Sequence, residues 1–260
     1  MNKINELGRC NYKSASAHFV NTEQEMLLDL LTKSYRGELH FVTAVNSNFL
    51  EKLEQLISSI RRFEPTSRIT TYDLGLSEEE KHKLVGLVDS VEAFNFANYS
   101  DYFDINVNAG EYAWKAVIIN RELEKSGTPI CWMDSRNILT GRQNVIRRSL
   151  GARGYYFTGS NGNIEKWTHP SMIEYLGLDL AVIGQKRNIN ACALAFDPNC
   201  DPARSLVREW AQLSQVKNCI APEGSSRENH RQDQSLITVL AYSRDLLKKP
   251  NKNRNFLIHQ

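Results

Sequence analysis

No stretch of this 260-residue chain approaches the roughly 20 consecutive apolar residues of a bilayer-spanning helix, and Met1 to Cys10 lack the apolar core of a secretory signal. A cytoplasmic location is expected, with peripheral contact to a membrane left open. No glycine pattern of a phosphate-cradling loop or a dinucleotide-binding turn occurs either; the Gly159-Ser-Asn-Gly-Asn163 loop has neither spacing, which disfavours a nucleoside-triphosphate hydrolase and a dehydrogenase. The five cysteines (Cys10, Cys131, Cys192, Cys200 and Cys219) are scattered and none has zinc-ligand spacing, so they read as free thiols in a reducing compartment. Charge of one sign is lacking too, since 32 basic against 30 acidic residues leave a net charge of +2. With no zinc-finger spacing and no glycine-aromatic RNA-binding signature, nucleic acid is not an expected partner.

What is present has the rhythm of an α/β enzyme. Leu39 to Val45 and Arg68 to Asp73 are strand-like, rich in apolar, β-branched and aromatic residues. Between them, Phe49, Leu50, Leu53, Leu56, Ile57 and Ile60 recur at helical spacing, opposite Glu51, Lys52, Glu54, Arg61 and Arg62. Ser77 and Glu80 have capping-box spacing before a further helix, and a short strand follows at Val91 to Phe94. Strand, helix, strand, helix, strand with short connections is the pattern of βαβ units and a parallel sheet. The fold expected is α/β, a mostly parallel, Rossmann-like central sheet with helices on both faces. Residues 1–37, with Met26, Leu27, Leu30 and Leu31 at helical spacing, are expected as a helical extension; 38–260 form the main domain with a basic tail. The tail, Arg244 to Arg254, reads as a solvated face or as a contact for anionic lipid.

Ile130-Cys-Trp-Met133 is an unalternating apolar run, as expected for a strand buried on both faces, and it stops on Asp134-Ser135-Arg136. In open α/β sheets the ligand crevice lies beyond the carboxyl ends of the strands, which puts these residues at its mouth. An acid that merely supports a following turn fits the same pattern. A helix expected over Glu111 to Lys125 is apolar nearly all round at Tyr112 to Ile119, with Lys115 its single charge there. A buried ammonium needs an anionic partner, either a ligand phosphate or a carboxylate such as Asp134; the alternative is a lysine that extends its head to solvent.

Val42-Thr-Ala-Val45, Tyr72-Asp-Leu-Gly-Leu-Ser77, Tyr112-Ala-Trp-Lys115, Trp132-Met-Asp-Ser135, Asn190-Ala-Cys192 and His230-Arg-Gln-Asp-Gln-Ser235, in this order, resemble a nucleotide-sugar glycosyltransferase of the GT-A fold. The arrangement is similar to a glycosyltransferase-like family of unknown-function domains and, more distantly, to glycogenin-like retaining transferases. The resemblance covers roughly residues 38–242. It implies a nucleotide-diphosphate sugar donor, a glycan or lipid-linked saccharide acceptor, and a role in surface or capsular polysaccharide or lipopolysaccharide biosynthesis. It places the nucleotide across Thr43, Ala44 and Asn46 with Asp73 near the base or ribose, although Asp73 before Gly75 also suits a turn. Lys115, Asp134, Ser135 and Arg136 would face the pyrophosphate. Asn190, His230, Arg231 and Gln234 would face the sugars, with strand initiation the other reading of Asn190. Asp233 would be catalytic, stabilising an oxocarbenium-like transition state or acting as a base; a helix N-cap is the alternative. The fold's usual Mn2+ or Mg2+ bridges an Asp-x-Asp pair. Here that pair reads Asp134-Ser135-Arg136, so either Asp134 binds metal with few protein ligands, His259 among them by resemblance, or Arg136 meets the phosphate itself. A non-catalytic sugar-nucleotide or glycan-binding module is the competing reading, motivated by the missing second acid.

Overall fold

A computed structural model describes residues 34–260; the helix expected within 1–37 and Cys10 lie outside the described residues. The four expected strands and two more form one six-stranded sheet in the order β3-β2-β1-β4-β7-β6. Its strands are β1 His40–Val45, β2 Arg68–Asp73, β3 Ser90–Ala93, β4 Ile130–Met133, β6 Tyr155–Asn163 and β7 Arg187–Phe196. β1 pairs parallel with β2 and β4, and β2 with β3, whereas β7 runs antiparallel between β4 and β6. A two-residue strand, β5 Ile138–Leu139, pairs with β8 Phe256–Leu257 outside this sheet.

Alternation along the strands divides the core into two layers. Val42 and Ala44 of β1 and Trp132 of β4 join one cluster, which is covered by α3 Ala113–Lys125, α5 Asp201–Leu213 and α6 Gln232–Ser243. Phe41, Val45, Cys131 and Met133 point the other way, beneath α1 Leu50–Phe63 and α4 Asn144–Arg153. Of the amphipathic face read for α1, Leu50, Leu53, Leu56, Ile57 and Ile60 are inward, whereas Phe49 precedes the helix and is exposed. Helix α2, Glu78–Leu84, begins with the expected capping box: Ser77 Oγ accepts from the Glu80 amide and Glu80 Oε2 from the Ser77 amide.

Two departures from the sequence expectation concern the site. Helix α3 starts at Ala113 and not at Glu111, because Asn108 to Tyr112 all lie at positive φ, between 48° and 61°. Four of these five are not glycine, and such backbone persists only where surrounding contacts hold it. Trp114 Nε1 donates to the Ala109 carbonyl at 2.9 Å, and Gly110 packs so tightly on the Phe103 carbonyl that a Cβ would collide with it. The second departure is the tail. Lys248, Lys249, Lys252 and Arg254 are exposed, as expected, but the chain between them is pinned across the domain. Asn251 donates to the Phe157 carbonyl, Asn253 Nδ2 to Gln143 and Asn255 Nδ2 to the Arg142 carbonyl. This return path delivers His259 to the end of β4.

Candidate functional site

In the sheet order the chain winds outward in opposite directions from β1 and β4, so these neighbours flank the topological switch point, where open α/β sheets bind ligands. A cavity of about 680 Å³ opens at their carboxyl ends. It adjoins a second hollow of about 850 Å³ that shares Asn46, Leu74 and Ile105 with it. The first holds the lysine, the arginines and the acids that meet them, whereas the second is lined by Asp101 and Asp104 and, among the described residues, by no cation.

At its floor Lys115, 3% exposed, lies between two carboxylates: Nζ is 3.1 Å from Asp134 Oδ1 and 3.0 Å from Asp233 Oδ2. The lysine therefore does not extend to solvent; it has the anionic partners that burial demands. Helix α3 supplies it, β4 supplies Asp134 and α6 supplies Asp233, so three elements converge on one ammonium. Burial opposes the charged lysine, but Asp134 and Asp233 together outweigh it and raise its pKa. Burial likewise opposes ionised Asp134, yet the Lys115 ammonium, His259 and the Trp132 indole bring its carboxyl down to about 2. Asp233 moves upward: burial dominates and Asp134 adds to it, against the pull of Lys115.

The Asp134 carboxylate does not serve the turn that follows it. Trp132 Nε1 donates to Oδ1 at 2.8 Å and His259 Nε2 lies 3.3 Å from Oδ2. The turn is closed instead by backbone, with the Asn137 amide donating to the Asp134 carbonyl at 2.9 Å. Asn137 is buried and holds the site together, donating to the Cys192 carbonyl and accepting from the His259 amide. Asp233 is not the helix N-cap either; that position is Arg231, without a side-chain cap, and Asp233 is the second residue of α6. Gln232 before it has φ of 41°, and its Nε2 donates to Glu111 Oε2 in the left-handed segment.

Ala44, Asn46, Ser135, Arg136, Asn190, Arg231, Gln234 and His259 join Lys115, Asp134 and Asp233 around the cavity. The Asn190 carboxamide also accepts from the Cys192 amide. Three expected residues lie elsewhere. Thr43 shares the strand face of Phe41 and Val45 and is buried away from the cavity. Asp73 turns its carboxylate into its own loop, accepting from the Gly75 and Leu76 amides at 2.7 Å each and pairing with Lys81. His230 is fully buried, accepting from the His169 amide and donating to the Ile220 carbonyl; burial drops its pKa to about 4.

The structure also adds residues. Tyr112, Trp167 and Arg227 line the cavity. Arg231 lies over the Trp167 ring, 4.0 Å from its centroid, Arg227 over Tyr112 at 5.3 Å and Arg136 over Phe49 at 5.6 Å. Among the described residues no carboxylate pairs with any of these guanidiniums.

The metal expected from the resemblance fits these residues poorly. Asp134 is the single acid of the pattern, its Oδ1 taken by Lys115 and Trp132 and its Oδ2 facing His259, with Arg136 where a second acid would stand. Among the described residues no group of three or more His, Cys, Asp and Glu side chains is arranged to hold a metal ion.

This architecture is the GT-A fold of glycosyltransferases. Similar solved structures include core-mannan synthase A from Aspergillus fumigatus in an Mn/GDP form, with a TM-score of 0.53, 9% identity, 79% of this chain covered and 70% of that one. The galactosyltransferase LgtC in complex with donor and acceptor sugar analogs matches with a TM-score of 0.51, 15% identity and coverage of 76% and 69%. Mouse xyloside xylosyltransferase 1 matches at 0.50, with 11% identity and coverage of 81% and 84%. At these identities the likeness is one of fold. Residues 4–120 match a family model described as "Protein of unknown function (DUF1647)", in keeping with the resemblance drawn from the motifs. No curated protein sequence matches the chain.

Proposed function

We propose that the protein is a glycosyltransferase that moves a sugar from a nucleotide-diphosphate donor to a glycan acceptor. The observation that carries this reading is the Asp134–Lys115–Asp233 arrangement at the switch point of the sheet, set under a cavity rimmed by guanidiniums that have no carboxylate partner among the described residues. Departure of a nucleoside diphosphate from a sugar develops negative charge on phosphate and positive charge at the anomeric carbon. Lys115 and the arginines suit the first, and an acid held in place at low exposure suits the second. In this reading Asp233 acts at the anomeric carbon, Asp134 orients Lys115, and Asn190 and Gln234 contact the sugars. The crevice past Asn46 and Leu74 has room for the nucleoside.

The acceptor we assign is a glycan or lipid-linked saccharide in surface or capsular polysaccharide or lipopolysaccharide biosynthesis. Support for a saccharide acceptor comes from neighbours of the same fold, one in complex with donor and acceptor sugar analogs and others named a core-mannan synthase and a xyloside xylosyltransferase. The exposed Lys248, Lys249, Lys252 and Arg254 suit contact with an anionic membrane from the cytoplasmic side. Calorimetry with a panel of nucleoside diphosphates, followed by an assay for release of the diphosphate from the matching sugar donors, tests the proposal. Binding with turnover supports it. Binding without turnover of any donor, over a range of glycan acceptors, identifies a sugar-nucleotide-binding module instead.

A further inference from the structure

The cavity's formal charge is unusual for a site that would recruit a divalent cation. Lys115, Arg136, Arg227 and Arg231 stand against Asp134 and Asp233, an excess of two positive charges before His259 is counted. The two acids more than offset the lysine, so the net positive charge of the cavity comes from the three guanidiniums on its rim. Each guanidinium carbon lies over an aromatic ring, a contact that leaves guanidinium N–H groups able to donate. Arg136 and Arg227 are exposed and Arg231 is half-buried, and Arg136 spends one bond on the His259 carbonyl. Arg227 also crowds Arg231, whose pKa is lowered first by burial and then by this like charge. Like charges gathered without counterions are unfavourable unless an anion joins them.

A diphosphate ester carries one negative charge per phosphate, as in a nucleic-acid backbone, which matches the excess of two. Guanidinium meets phosphate through two parallel charge-assisted hydrogen bonds, so three arginines have donors enough for both phosphates. Building on the glycosyltransferase reading, we infer that Arg136, Arg227 and Arg231 form a guanidinium clamp that binds the donor diphosphate in place of a divalent metal. The departure from the Asp-x-Asp pattern at Arg136 is then a substitution of one kind of positive charge for another. The left-handed segment ending at Tyr112 has a role in this: it presents the ring on which Arg227 lies.

The test is calorimetry with inorganic pyrophosphate, UDP and GDP, each measured in EDTA and again with Mn2+. The expected result is that pyrophosphate and at least one nucleotide bind in EDTA with a dissociation constant within about twofold of that in Mn2+. Arg136→Ala and Arg227→Ala, both at exposed positions that the fold does not need, should each weaken binding roughly ten- to hundredfold, the loss of one charge-assisted pair. Binding that appears only with Mn2+, or that neither substitution weakens, overturns the clamp while leaving the glycosyltransferase reading in place. Absence of binding by all three probes under both conditions overturns the two together.

Discussion

The Lys115 ammonium on helix α3 lies 3.0 Å from Asp233 Oδ2 on helix α6, and this contact ties together two helices of the same apolar cluster. With the half-buried Asp134 on the far side of the same nitrogen, the protein gathers three charges, two of them buried, at the point where its sheet changes winding direction. Charges this deep are tolerated only in company.

Removing the lysine should therefore be costly. Lys115→Met leaves Asp134 and Asp233 facing each other without a cation and is expected to destabilise the protein by about 3–5 kcal/mol in denaturant unfolding. Adding Asp233→Asn to that variant removes one of the stranded charges and should restore part of the loss. A single substitution costing under about 1 kcal/mol would mean the ion cluster contributes little to stability.

The buried His230 should leave a signature in acid. Its folded pKa of about 4 lies below the ordinary histidine value, so its stabilising contribution is present above about pH 6.5 and is lost as pH falls towards 4. The expected loss is about 3 kcal/mol over that window. Thermal unfolding of His230→Gln should be less stable than the wild type at pH 7, through two lost hydrogen bonds, but should fall less steeply between pH 6.5 and 4. Parallel pH profiles for the two proteins would contradict this. Asp134 acts lower on the scale: its depressed carboxyl contributes stability above about pH 3.9 that disappears as pH falls towards 2.

Asp73→Asn separates the two readings of that strand end. An asparagine carboxamide still accepts from the Gly75 and Leu76 amides, so the turn should survive with a stability change under about 1 kcal/mol. Nucleotide affinity should stay within about twofold of wild type, whereas a loss of tenfold or more would return Asp73 to the nucleotide site.

Gly110→Ala probes the left-handed segment. The alanine methyl would meet the Phe103 carbonyl at a residue with φ of 61°, and a loss of about 1–3 kcal/mol is expected. Because Tyr112 and Glu111 lie on the same segment and reach Arg227 and Gln232, donor affinity should fall with it. An alanine variant of wild-type stability and affinity would show that the segment can relax freely.

Most of the scaffold was legible because β1 and β4 are apolar runs, β2 is rich in β-branched and aromatic residues and α1 has an apolar stripe, patterns set by burial itself. The Asp134–Lys115 contact was legible for a related reason: a lone charge in an apolar helix needs a partner, and an acid at a strand end is the natural one. What could not be read depends on geometry that local residue types do not encode. Asp73 and Asp134 both follow strands, and only the presence of Gly75 and Leu76 amides or of Lys115 decides which acid serves a turn. His230 sits in the same polar box as Asp233, but the left-handed Gln232 between them sends the two side chains to different places. Arg227 lies on a loop without periodicity, and β8 is a two-residue strand whose partner stands far back in the chain.

The account rests on Asp233 acting at the anomeric carbon, and the most direct measurement compares wild type with Asp233→Asn for both donor affinity and turnover on the same nucleotide sugar. The expected outcome is a dissociation constant within about threefold of wild type and a kcat lowered by at least about a hundredfold. Transfer by Asp233→Asn at the wild-type rate would contradict the assignment.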